Sequence, residues 1–250
     1  MAAESKIDPM HQFQISPLAG HLDGSPFVFT NSALWMVVVL ALIWLFMLGG
    51  MKRQLVPGRW QVMVEGVTGF IHSMVTTNIG PEGRKYMPWV FTVFMFILFA
   101  NLLGLMPFAL VGAQPFTVTG IMAIISFSIV LIVGFWRHGF HFFSLFIPHG
   151  TPKPMLPMIF LIELLSFMVR PFSLALRLFV AMIAGHILVE VFGSFVVQGI
   201  NAGGVGPAVS LLSFLFIVGV MALEILVCAI QAYVFALLTS LYINDAVNLH

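Results

Sequence analysis

Charged side chains that interrupt long apolar runs are the residues of this sequence best suited to chemistry. Arg177 lies in the run VRPFSLALRLFVAMIAGH (169–186), with no acidic residue within ten positions on either side. Five further ionisable residues interrupt the last two apolar runs: Glu163, Arg170, His186, Glu190 and Glu224. If these runs cross a membrane, such side chains normally face protein or water and mark a pathway for ions or protons. Carboxylates and imidazole can exchange protons at physiological pH when their surroundings shift their pKa values, whereas the charge of arginine is permanent.

The spacing of these residues indicates which of them share one face of a helix. Glu163, Arg170 and Arg177 lie seven residues apart, so they form one polar stripe that drifts by only about 20° per step. Small residues lie on the same stripe around the last arginine: Ser173, Ala181 and Ala184. Because small residues allow close helix approach, we expect Arg177 to be presented to a partner helix.

The last two apolar runs predict an antiparallel hairpin around the glycine-rich turn QGINAGGVGP (198–207). One register, centred near Gly204, brings three polar pairs to equal depth: Arg177 with Gln231, His186 with Glu224, and Glu163 with Asp245. Because His186 follows Arg177 by nine residues, it points to the opposite side of a straight helix. A direct contact between His186 and Glu224 therefore needs a distortion, for which Gly185 is available, or a bridging water molecule.

The composition indicates that the solvent of this chain is lipid. Hydrophobic residues make up 60% of the sequence and charged residues 8%, against about a quarter charged in soluble domains. The net charge of +1 gives no nucleic-acid signature. With a single cysteine, Cys228, no intramolecular disulfide is expected. The first 30 residues resemble neither a cleavable signal peptide nor a transit peptide, so we expect the membrane segments themselves to direct insertion.

The elements that must position these residues are helices, and we predict a single all-α, multi-span membrane domain over residues 1–250. Five segments reach the length of about 20 apolar residues that a span needs: 32–50, 87–111, 117–136, 154–195 and 207–243. The last two are longer than one perpendicular crossing, which predicts strong tilt. Residues 59–77 have apolar positions at helical spacing, which predicts an amphipathic helix on the membrane surface. The alternative is a helix that covers a neighbouring helix.

Lysines and arginines in the connections predict the orientation, because they favour the cytoplasmic side. In the five-span topology seven of them fall on one side: Lys52, Arg53, Arg59, Arg84, Lys85, Arg137 and Lys153. The other side has Lys6 alone. We therefore expect the N-terminus outside and the C-terminus in the cytoplasm or matrix.

In this topology the ionisable residues lie at different depths. Glu163 is near the cytoplasmic surface, Arg177 is near the middle, and His186, Glu190 and Glu224 are in the outer half. Two acidic zones separated by a fixed cation suit two offset half-channels for protons. Purely structural roles stay open for several positions, namely interfacial anchoring or packing for Glu163, Arg170, His186 and Glu190, and interhelical hydrogen bonds for Gln231. For Asn101, within the second span, we expect a helix-packing hydrogen bond.

Three motifs closely resemble subunit a of the F-type ATP synthase family. They are RPFSLALRLFVAMIAGH (170–186), LEILVCAIQAYVFALLTSLYINDA (223–246) and FANLLGLMPF (99–108). The resemblance extends over most of residues 32–246, and the two C-terminal motifs are highly specific. The segments IQAYVFALLTSLY and AGH are most similar to the alphaproteobacterial and mitochondrial branch.

The resemblance implies roles for individual residues. Arg177 matches the family's essential arginine, which faces the ionised carboxylate on each passing helix of the rotor ring, and Gln231 matches the glutamine beside it. His186 and Glu224 match two positions of the outer access channel, although many bacterial members have the acid and the imidazole exchanged. Glu163 matches the acid near the cytoplasmic exit.

One position departs from many bacterial members. Those proteins have an asparagine four residues after the arginine, where this chain has Ala181, so no polar role is expected there.

The resemblance implies a non-catalytic stator subunit that couples proton flow to rotation. Its implied partners are the rotor ring of c subunits, a peripheral-stalk membrane subunit of the b type and the lipid bilayer of an energy-transducing inner membrane, bacterial or mitochondrial. ATP chemistry would belong to other subunits, in keeping with a sequence that has no Gly-rich phosphate loop, and no cofactor or metal is expected. The chain alone does not distinguish H⁺ from Na⁺, although the His–Glu pair favours protons.

Three other classes of protein fit less well. A self-contained cation–proton secondary transporter often has inverted repeats, and the sequence shows no internal repeat of the polar stripe. A membrane cytochrome would need paired intramembrane histidines, whereas only His186 lies in a predicted span. A purely structural assembly subunit has no need for Arg177.

Overall fold

The fold is a bundle of α-helices. A computed structural model describes residues 31–50, 58–105, 116–139, 155–202 and 206–247. Six α-helices lie in these ranges: α1 (Asn31–Gly50), α2 (Arg59–Ile79), α3 (Met87–Gly104), α4 (Phe116–His138), α5 (Leu156–Ala202) and α6 (Gly206–Val247). A short 3₁₀-helix, Pro81–Lys85, joins α2 to α3. No strand occurs in the described residues, and the predicted all-α class is confirmed.

The helices have the lengths and composition of membrane spans. Four segments of the described chain are long and apolar enough to cross a membrane: Ala33–Gly50, Met87–Gly104, Ile183–Asn201 and Gly206–Val247. Two shorter apolar helical segments are Gly120–Trp136 and Leu156–Phe167. With 47 residues, α5 is about 70 Å long at 1.5 Å per residue. A helix of that length must tilt strongly or project beyond the bilayer.

Helix α3 ends earlier than its apolar pattern predicts. The sequence predicted a helix to residue 111, whereas α3 ends at Gly104, and the backbone N–H of Leu105 closes its last turn on Asn101. Residues 106–115 lie outside the described part of the chain.

The last two helices form the predicted antiparallel hairpin. The rings of Phe192 and Phe216 stack with centroids 5.3 Å apart, and those of Phe167 and Tyr242 meet edge to face at 6.4 Å. Near the turn, the Ser210 hydroxyl donates a hydrogen bond of 2.9 Å to the carbonyl of α5 residue 196. The residue numbers of these pairs add up to a nearly constant total, which confirms the register predicted from the polar pairs.

Helix α2 packs against α1, α3 and α6. Five apolar side chains form its buried face: Val64, Ile71, Met74, Val75 and Ile79. The Trp60 indole N–H donates to the Phe46 carbonyl at 3.0 Å, and the Asn78 amide donates to the Ser240 hydroxyl at 3.0 Å. This packing supports the covering role, while the exposed Phe70 is in keeping with a membrane-surface position.

Helix α3 is the central element of the largest buried cluster. Its side chains Val90, Val93 and Met95 are almost fully buried and pack with apolar residues of α2 and α6. A close-packed interior of this kind resists displacement of its helices. The C-terminal turn of α3 is thereby held against the α5–α6 hairpin, where the polar residues lie.

Candidate functional site

A small polar cavity lies where the end of α3 meets the middle of α5 and α6. Five side chains with polar or titratable groups line it: Asn101, His186, Glu224, Cys228 and Gln231. About 20 Å³ of the cavity is open to the centre of a water molecule. A single buried water needs about 10–15 Å³ on this measure, so the cavity has room for one or two. Three of the predicted site residues, on two helices, therefore share one space.

The carboxylate of Glu224 is packed directly against the backbone of Gly185. The side chain of Glu224 is only 8% exposed, and its Oε1 atom occupies the place that a Cβ atom on Gly185 would need. From the sequence, Gly185 is a point where α5 could distort. The structure uses it differently, because the missing side chain provides the volume that the acid fills.

The imidazole of His186 is held from the other side of the cavity. It forms a hydrogen bond with the backbone of Gly104 at the end of α3. The last carbonyls of a helix have no partner within that helix, so the imidazole satisfies an acceptor that would otherwise be buried and unpaired. His186 and Glu224 thus line the same cavity. The imidazole is hydrogen-bonded to the backbone of α3, and the carboxylate packs against the backbone of α5.

Asn101 was expected to form a helix-packing hydrogen bond, and this expectation is wrong. The side chain is 1% exposed, yet neither its Nδ2 nor its Oδ1 atom has a hydrogen-bond partner in the described part of the chain. The amide instead lines the polar cavity. The signal in the sequence was a lone amide within an apolar span, which by itself does not distinguish packing from a place in a site.

Arg177 lies away from the cavity. Its side chain is exposed, as are Ser173, Val180 and Ala184 on the same face of α5. Ala181, one turn further along α5, lines the cavity. On α5, the lining of the cavity therefore begins about one helical turn from the arginine.

The other predicted residues of α5 are not brought to the cavity. Glu163 and Glu190 are partly buried and lie outside its lining. The side chain of Arg170 is outside the described part of the structure. Cys228, to which the sequence assigned no role, is buried one helical turn after Glu224 and also lines the cavity.

A larger apolar groove lies on the other side of Glu224. It has a volume of about 590 Å³ between α5 and α6, and its walls include Leu188, Leu212, Phe216 and Leu223. Glu224 lines both the groove and the polar cavity. The acid is therefore at the boundary between a water-sized polar space and a hydrocarbon-like surface.

The side chains that line the cavity are of two chemical kinds, those that can exchange a proton and those that can only form hydrogen bonds. The carboxyl group of Glu224 and the imidazole of His186 can each accept or release a proton, whereas the amides of Asn101 and Gln231 can only donate and accept hydrogen bonds. A water molecule in the cavity would connect the titratable groups. The arrangement is suited to passing protons between α5 and α6, with the fixed cation Arg177 outside the cavity.

Comparison with known proteins identifies one family. The sequence profile of the family described as ATP synthase A chain matches residues 32–244. The chain is 66% identical over 261 residues to the ATP synthase subunit a of Rhizorhabdus wittichii, covering all of both chains. It is 66% identical to that of Sphingopyxis alaskensis over 261 residues and 56% identical to that of Zymomonas mobilis over 267 residues, again covering all of both chains.

Proposed function

The chain belongs to the ATP synthase A chain family, and we propose that it is the proton-conducting stator subunit of an F-type ATP synthase. In this role it provides two offset half-channels and couples proton flow to the rotation of a ring of carboxylate-bearing c subunits. The observation that carries the proposal is the separation of an exposed Arg177 from a polar cavity that contains His186, Glu224 and Gln231.

The exposure of Arg177 supports a partner on that face of α5. Holding a guanidinium against lipid at the centre of a span costs about 2.5–3.5 kcal/mol. The residues around it, Ser173 and Ala184, are small and exposed, so another helix can approach closely. An ionised carboxylate on a passing ring helix would balance the charge of Arg177 and would itself be favoured in its ionised form.

The polar cavity supports the outer half-channel. His186 and Glu224 are the titratable groups there, and the cavity ends one turn from Arg177. A proton that reaches Glu224 can pass to a ring carboxylate once that carboxylate has moved away from the arginine. The arginine prevents a direct leak, because its permanent charge disfavours an excess proton between the two zones. The membrane potential supplies about 2.3 kcal/mol per charge for each 100 mV.

The inner half-channel lies toward the start of α5, where Glu163 is partly buried. The orientation places the N-terminus outside and the C-terminus in the cytoplasm or matrix. Arg59, Arg84 and Lys85 support it, because they are exposed between α1 and α3 on the side that favours positive charge.

The assembly in which the chain works has further components. The proposed membrane is the bacterial plasma membrane or its mitochondrial counterpart, a b-type peripheral-stalk subunit holds the chain, and ATP chemistry takes place on other subunits.

The decisive experiment replaces Arg177 in the complete complex. Inverted membrane vesicles carrying Arg177→Ala are compared with wild type for ATP-driven acidification, followed by quenching of a fluorescent dye, with subunit content measured in the same vesicles. Arg84→Ala is the matched control, since Arg84 is exposed outside the spans. We expect pumping to be lost in Arg177→Ala and retained in Arg84→Ala. Normal pumping by an intact Arg177→Ala complex would overturn the proposal.

A further inference from the structure

The unpaired amide of Asn101 is the feature of the site that the proposed function leaves unexplained. Its side chain is 1% exposed, and both of its polar atoms lack a partner among the described residues. Buried polar side chains in native proteins are nearly always hydrogen-bonded to protein or to ordered water. An amide with neither atom paired therefore indicates a bound molecule that can both donate and accept hydrogen bonds.

The surroundings of Asn101 identify that molecule as water. The cavity beside the amide has about 20 Å³ open to the centre of a water molecule, which excludes anything much larger. The same cavity is lined by the polar side chains of Glu224 and Gln231, so a water there has several polar partners, as buried waters require. The Gly104 backbone, at the same end of α3, is bonded to His186.

We infer that Asn101 is a positioning residue that holds a relay water in the cavity between α3, α5 and α6. The inference rests on the proposed function, since the water matters only if protons pass through this cavity. In the relay step the carboxyl group of Glu224 gives its proton to the water while the water gives one of its own protons to the next acceptor. The amide of Asn101 forms and breaks no covalent bond, and its charge does not change.

An asparagine has the properties that this task needs. Its amide offers donors and acceptors together, so it can orient a water for proton transfer in either direction. It does not titrate, so it neither traps the proton nor adds a second charge beside Glu224. Its position on the tightly packed α3 fixes the water relative to the α5–α6 hairpin.

The test compares substitutions that a relay water and a packing role would rank differently. Asn101→Leu keeps the branched shape of the side chain, although it is larger, but it removes both hydrogen-bonding atoms and repels water. Asn101→Ser is smaller, keeps a hydroxyl and leaves space for an additional water. Met95→Leu is the control, because Met95 is buried on the same helix and does not line the cavity.

In inverted vesicles, we expect ATP-driven acidification per assembled complex to fall about tenfold in Asn101→Leu, as for the loss of a buried hydrogen bond. Asn101→Ser should stay within about twofold of wild type, because water-mediated hydrogen bonds are nearly as good as direct ones. Met95→Leu should pump normally. Normal pumping by Asn101→Leu, or a loss in Asn101→Ser as large as that in Asn101→Leu, would overturn the inference.

Two additional measurements separate this inference from the proposed function. Arg177→Ala is assayed in parallel. Normal pumping by Arg177→Ala would count against the proposed function itself. Loss of pumping in Arg177→Ala together with normal pumping in Asn101→Leu would count only against the relay water. A high-resolution map of the complete complex is the second measurement, and it does not depend on activity or on the variants. Density for water within hydrogen-bonding distance of the Asn101 amide is expected, and an empty cavity there would refute the water site.

Discussion

The carboxylate of Glu224 on α6 occupies the place where a side chain on Gly185 of α5 would begin. The glycine is thus required for space, since α5 is helical on both sides of it and its backbone needs no special conformation. Two consequences follow for the site. The acid is fixed at one height on the hairpin, and it is kept in the lining of the cavity that it shares with His186.

Gly185→Ala should displace Glu224 and impair proton pumping. The added methyl group overlaps the carboxylate, so the acid must leave its place or the two helices must separate. Small misplacements of reacting groups can reduce a rate by about a hundredfold, and we expect a loss of this order in ATP-driven acidification per assembled complex. The matched control is Gly193→Ala on the same helix, because a Cβ atom there meets nothing within 4 Å. Equal pumping by the two variants would show that the position of Glu224 is unimportant.

Glu224→Gln should abolish most of the pumping while the complex still assembles. Glutamine has nearly the same size as glutamate but cannot release a proton, and positioned acid–base groups typically contribute about 10²–10⁴-fold to rates. We expect a decrease of at least about a hundredfold on this basis. Glu65→Gln is the control, since Glu65 is an exposed acid of α2 that accepts a hydrogen bond from Gln61 at 2.8 Å. Pumping at the wild-type rate by Glu224→Gln would exclude the acid from the proton path.

Gly199→Ala should weaken the hairpin near its turn. A Cβ atom on Gly199 would lie 2.6 Å from the backbone oxygen of Gly206 and would also overlap the Ser210 hydroxyl. Overpacking of this kind costs about 1–3 kcal/mol, which outweighs the gain in helix propensity of about 1 kcal/mol. Gly193→Ala, at a position where the added methyl group meets no neighbour, should be stabilised by the gain in helix propensity alone. The temperature at which the subunit is released from the purified complex is measured for both variants. We expect it to fall in Gly199→Ala and to rise in Gly193→Ala.

The hydrogen bond between Asn78 and Ser240 should couple α2 to α6 by about 1 kcal/mol, the usual net value of such a bond. The two residues are 162 positions apart in sequence, and their donor and acceptor are 3.0 Å apart. A double-mutant cycle of Asn78→Ala and Ser240→Ala, monitored by unfolding in denaturing detergent, measures this coupling. Thr92→Ala combined with Ser240→Ala is the control cycle. Because the Thr92 hydroxyl donates its hydrogen bond within its own helix, the effects of these two substitutions on the free energy of unfolding should be additive. Additivity in both cycles would contradict the predicted coupling.

The sequence predicted the α5–α6 hairpin well because two independent patterns act there. Long apolar runs define the helices, and the requirement that polar groups in a membrane meet one another fixes the register. The end of α3 was predicted less well, since its apolar run continues past Gly104, where the helix ends. Hydropathy alone does not specify where a helix ends, because its last turn depends on backbone hydrogen bonds that an apolar pattern does not encode.

The sequence by itself determined the helical class, the pairing of the last two helices and the residue types available for proton exchange. Only the tertiary structure decided which of these residues meet, because burial and contact depend on helices that are distant in sequence. It brought Asn101 of α3 to His186 and Glu224 and left Arg177 exposed and outside the cavity lining. The physical reason is that periodicity specifies the face of a helix, whereas the identity of the neighbour facing it depends on how all the helices pack together.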